Sequence, residues 1–66
     1  MEIFTKQELA DMIVRPFDGV MPSKEMRKRM VNDHLNSSDK QLIKTFKNSL
    51  NLEVIRLSDN KFIFQY

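Results

Sequence analysis

Gln41, Lys44, Thr45 and Asn48 carry side chains able to read a flat, hydrogen-bonding surface such as a base edge. Asn and Gln donate and accept at once, which suits adenine; Lys reaches guanine acceptors, and the Thr methyl suits thymine. At about 100° per residue these four share one arc of a helix, opposite Leu42, Ile43, Phe46 and Leu50. Lys40 and Lys47 flank the arc as candidate phosphate contacts. From Lys40 to Asn51 there are three lysines and no acid. Arg56 and Lys61, on either side of Ser58-Asp59-Asn60, are further candidates for phosphate. A solvated helix shows the same residue types to water, so the pattern stands as an expectation beside that plainer reading.

Other chemistry finds little support. The 66 residues contain no cysteine and one histidine. Thiol catalysis and thiolate zinc sites are therefore excluded, and His34 reads as a half-buried core residue rather than a ligand or base. The carboxylates are scattered, with no glycine-rich phosphate loop and no nucleophile–base pairing. Neither a catalytic role, a cofactor nor a metal is expected. Net charge is only +2, but Lys24 to Arg29 holds four bases and one acid, a second basic cluster. Arg27 in that cluster falls within an apolar arc, where its stem can pack while its head stays in water.

A chain of this length makes one domain, spanning 1–66, that hides only about 60% of its unfolded surface. No apolar run approaches the roughly 18 residues of a membrane span. Met1-Glu2-Ile3-Phe4 lacks the basic and apolar regions of a secretion signal and reads as a native start; the expected compartment is the cytoplasm.

The elements that must position these residues are readable in outline. Thr5 and Glu8 have capping-box spacing, with Phe4 and Leu9 placed as a hydrophobic staple. They start a helix over about Lys6 to Arg15, whose Leu9, Met12, Ile13 and Pro16 share a side and which Pro16 ends. Asp18-Gly19 is a turn, and Val20-Met21 is a candidate short strand. Ser23 caps a second helix over Lys24 to Leu35, with Met26, Met30, Val31 and Leu35 as its buried stripe and Glu25–Arg29 as a surface pair. Asn36-Ser37-Ser38 breaks it. Ser38 and Gln41 form a second capping-box match for a third helix over Asp39 to Ser49. Leu52–Leu57 and Lys61–Tyr66 then alternate as strands around a two-residue Asp59-Asn60 loop. That register opposes Leu57 to Phe62 and Ile55 to Phe64. It turns Ile55, Leu57, Phe62, Phe64 and Tyr66 onto the helices, and leaves Arg56, Lys61, Gln65, Val54 and Ile63 outside. The fold class is α+β: three helices followed by a C-terminal β-hairpin.

Ser23, the Asn36-Ser37-Ser38 turn, the third helix with Lys44 and Asn48 outward, and the closing Phe62-Ile63-Phe64 strand together resemble the winged helix-turn-helix family over nearly the whole chain. The resemblance implies that the third helix enters a major groove and that the hairpin touches phosphate or the minor groove. It implies a small DNA-binding accessory or transcriptional regulatory protein, working with a protein partner or as a homodimer. The alternative is a small regulator that occludes an enzyme or polymerase through protein contacts alone. For that reading, Leu52, Val54 and Ile63 are the first patch to inspect.

Overall fold

Three helices and a two-stranded antiparallel hairpin follow one another in the computed structural model, which describes residues 1–20 and 23–65. The helices are α1 (Lys6–Val14), α2 (Lys24–Asn36) and α3 (Asp39–Leu50); the strands are β1 (Glu53–Ser58) and β2 (Lys61–Gln65). This is the expected α+β order.

Local side-chain chemistry sets the helix starts. The Thr5 hydroxyl accepts from the Glu8 amide at 3.2 Å, and the Glu8 carboxylate accepts from the Thr5 amide at 2.9 Å. Ser23 accepts from Met26 N and Ser38 from Gln41 N. The return half expected at Ser38 does not form, because the Gln41 amide donates along the helix to Thr45 at 3.4 Å. Pro16 does not stop α1 abruptly; Arg15–Phe17 continue it as a single 3-10 turn. Asn51 ends α3 in the left-handed region, with φ 56°. Asn tolerates that region better than other non-glycine residues.

Burial divides into two layers that meet at α1. On one side, Leu9 and Ile13 join Phe4, Leu42, Phe46, Val54 and Phe62. On the other, Ala10 and Val14 pack with Val31, flanked by Met30 and Leu35. Residues 9, 10, 13 and 14 are therefore all buried, a wider face than the stripe of Leu9, Met12, Ile13 and Pro16 expected. Pro16 is exposed and Met12 half-buried. The second helix buries less than its pattern suggested: only Val31 is buried, and Met26 is exposed. Its packing runs chiefly against α1, so one narrow row meets apolar partners.

The hairpin differs from the expected register, and the cause is local. Ser58 pairs with Lys61 across the Asp59-Asn60 loop as expected, but a bulge at Leu57 then shifts the pairing by one residue. Beyond it Arg56 opposes Phe62, Ile55 opposes Ile63 and Val54 opposes Phe64. A loop with both residues left-handed matches the strand twist; here only Asn60, at φ 58°, takes that conformation, and the bulge accommodates the difference. A one-residue slip exchanges the two faces of a strand. Val54 is thus buried, while Ile55 and Leu57, expected inside, are exposed. Phe62 and Phe64 face the helices as expected, and Phe64 packs its ring 4.7 Å from Phe4 and 5.5 Å from Phe46.

A third short segment joins the sheet. Phe4 exchanges two backbone hydrogen bonds with Phe62, at 2.8 and 2.9 Å. The bridging segment is therefore the N-terminus. Of the expected Val20-Met21 strand, Val20 is an exposed turn residue, and Met21 lies outside the described residues, as do Pro22 and Tyr66.

Phe46 is fully buried between the sheet and α1. Phe46→Ala is expected to cost ~3–5 kcal/mol, the usual range for a buried aromatic. That is a large part of the stability of so small a domain. Urea denaturation followed by circular dichroism should show the midpoint collapse or the fold lost.

Candidate nucleic-acid interface

Helix α3 presents its polar side away from Leu42 and Phe46, both fully buried. Lys40, Gln41, Lys44, Lys47 and Asn48 are exposed, and Thr45 is half-buried. Lys40, Lys44 and Lys47 are spaced i, i+4 and i+7, so they make one stripe along the helix. Lys44 and Lys47 line a shallow open groove between α3 and the hairpin, with Ile43, Glu53, Val54 and Gln65. Gln41, Thr45 and Asn48 lie beside the stripe, the first two joined by their hydrogen bond. The structure thus brings six of the eight candidate residues together on α3.

The two hairpin candidates separate. Lys61 is exposed and makes no ion pair among the described residues. Arg56 is engaged: its Nε donates to Asp39 at 2.7 Å and its terminal nitrogen to Asp59 at 2.6 Å. Asp39 also takes Lys6 Nζ at 3.2 Å, and Lys6 donates to the Ser37 carbonyl. Two cations and two carboxylates therefore cancel at the start of α3. There, Asp39 also suits the positive end of the helix dipole. The Asn60 side chain accepts from the Lys6 backbone amide at 2.8 Å, so the hairpin turn is tied to the start of α1. Lys47 is partly compensated by Glu53 at 3.5 Å, an exposed pair of the kind worth ~0–1 kcal/mol.

Of the second basic cluster, Arg27 is similarly committed, while Lys24, Lys28 and Arg29 are exposed. Arg27 spans Asp18 and Asp11 at 2.8 and 2.7 Å, clamping α2 onto α1 and the turn after it. Arg15 holds the other Asp11 oxygen. Glu25 and Arg29, expected to pair, form no ion pair. His34 is half-buried, as expected, in the last turn of α2.

Among the described residues, no group of three or more His, Cys, Asp or Glu side chains converges to hold a metal, and no helix is long and apolar enough to cross a membrane. Comparison with protein-family models, curated proteins and solved structures returns no match. The geometry of α3 therefore carries the functional argument.

Sequence reasoning missed the Lys6–Asp39–Arg56–Asp59 network. Its members lie far apart along the chain, and only Asp39, at the first position of a capped helix, gave a local signal. The hydrogen bond from Arg56, then that from Lys6, hold the Asp39 carboxyl below its ordinary value. A carboxylate whose pKa is depressed by folding contributes stability above its unfolded pKa, about 3.9, and loses it as pH falls through the folded value. Asp39→Asn should therefore weaken the domain at neutral pH and flatten its acid-dependent loss of stability below about pH 4. Urea midpoints of both proteins across that range test this; parallel pH curves would show that the network contributes nothing.

Proposed function

We propose that this protein binds DNA through the exposed face of α3, as a small accessory or regulatory protein with a winged-helix-like arrangement. The observation that carries the reading is the stripe of Lys40, Lys44 and Lys47 beside Gln41, Thr45 and Asn48, on a helix whose opposite face buries Leu42 and Phe46. Lys40, Lys44 and Lys47 follow the phosphate backbone, and Gln41 and Asn48 meet base edges. Lys61 adds a phosphate contact from the hairpin. Arg56 serves instead to hold the hairpin on the start of α3, since two carboxylates already neutralise it. Four lysines make few phosphate contacts, so affinity is modest and strongly dependent on salt.

The protein-binding alternative has one observation in its favour, the exposed apolar residues Ile3, Ile55 and Leu57. Of the patch of Leu52, Val54 and Ile63 expected for that role, Leu52 is exposed, Ile63 half-buried and Val54 buried.

Two variants separate phosphate contact from base reading. Lys44→Ala should weaken binding to all sequences and reduce the slope of log K against log salt by about 0.9. Asn48→Ala should cost ~1–3 kcal/mol on a preferred site and little on random DNA. Fluorescence anisotropy with labelled duplexes at stated salt measures both. Absence of DNA affinity for the parent protein at low salt would overturn the reading.

A further inference from the structure

One backbone edge of β1 is left without a partner strand. β1 pairs with β2 alone, and the N-terminal bridge lies on the far side of β2. The direction of its backbone groups follows from that bridge. Phe62 turns its N–H and C=O toward Phe4, so the next residue, Ile63, turns its own toward β1, opposite Ile55. Val54 and Arg56 therefore point their N–H and C=O away from β2. None of these four groups has a backbone partner among the described residues.

Helix α3 runs alongside β1 in the opposite direction. Asp39 meets Arg56 at one end, and Lys47 meets Glu53 at the other. In the open groove between helix and strand, Ile43 is half-buried and Val54 buried, while Lys44, Lys47, Glu53 and Gln65 are exposed around them. Lys44 makes no ion pair among the described residues, and Glu53 meets Lys47 alone, at 3.5 Å. The rim of the groove thus carries one cation in excess.

We propose that a short extended peptide with acidic side chains adds to the free edge of β1, antiparallel to it, along this groove. The unpaired groups of Val54 and Arg56 alternate at the strand repeat, which is the pattern an added strand satisfies. The peptide residue facing Val54 exchanges both hydrogen bonds with it. Cross-strand neighbours share a face, so that residue's side chain lies over Val54 and Ile43 and is apolar. Side chains two positions away return to the same face, where Lys44 attracts a carboxylate. The bulge at Leu57 ends the regular edge, so pairing is confined to the stretch before it and the association is weak. Lys44 and Lys47 also belong to the α3 stripe, so a bound peptide and DNA exclude one another. The groove takes the peptide whether or not α3 binds DNA.

The blocked peptide acetyl-Glu-Thr-Val-Thr-Glu-amide is a suitable probe, with valine to face Val54 and a carboxylate on either side of it. Titrated to millimolar concentration into the full chain without nucleic acid, it should shift the Val54 and Arg56 amide signals in nitrogen–proton NMR spectra and slow their hydrogen exchange. The same peptide with an N-methylated valine cannot donate to the Val54 carbonyl and should not bind. Lys44→Glu, at an exposed position, should weaken the acidic peptide about threefold or more at low salt, with an unchanged circular dichroism spectrum. It should favour the peptide carrying Lys in place of both Glu residues. No shift at Val54 and Arg56 at millimolar peptide overturns the proposal. So does an N-methylated peptide that binds as well as the parent, or a set of shifts confined to α3, which marks charge attraction without strand addition. None of these outcomes depends on DNA affinity, so the proposal and the reading of α3 can fail separately.

Discussion

The first helix is the element on which the rest depends, because it is buried on two sides at once. Leu9 and Ile13 close the layer made with α3 and the hairpin, while Ala10 and Val14 close the layer made with α2. Neither layer is large enough to stand without the helix between them, since a chain of this size has little apolar surface to spare. The Thr5–Glu8 capping box and the Phe4–Phe62 bridge fix where this helix begins. The Arg27 clamp fixes its far end against α2.

Charge in this protein divides into cations used to hold elements together and cations left to solvent. Arg27, Arg56 and Lys6 belong to the first group; each meets a carboxylate from another part of the chain. Lys40, Lys44 and Lys61 belong to the second. Among the described residues the free cations lie on α3, beside the hairpin loop at Lys61, and on α2 at Lys24, Lys28 and Arg29. A net charge of +2 does not reveal this partition. Such partition matters for a nucleic-acid surface, where unpaired cations determine how many counterions are released.

The hairpin has one face in the core and one toward solvent. Its inner face, Val54, Phe62 and Phe64, supplies much of the core that orients α3. Its outer face leaves Ile55 exposed and Ile63 half-buried. The bulge at Leu57 creates this division by sending Val54 inward and Ile55 outward.

Much of the fold was legible because it is governed by local chemistry. Thr5, Ser23 and Ser38 mark three helix starts through side-chain acceptors within three residues, and Asp59-Asn60 marks the loop through its backbone tolerance. The arc of α3 followed from helical period alone, so the grouping of Lys40, Gln41, Lys44, Thr45, Lys47 and Asn48 could be read without coordinates. Tertiary structure decided what depends on distant partners. The Asp59-Asn60 residue types did not settle whether the loop passes straight into its ladder or through a bulge, and a one-residue difference reverses every side chain beyond it. Arg56 looked free because Asp39, seventeen residues earlier, meets it only once the hairpin has docked. Likewise the segment that bridges to β2 beside β1 proved to be the N-terminal Phe4, because the backbone edge that accepts it exists only in the folded sheet.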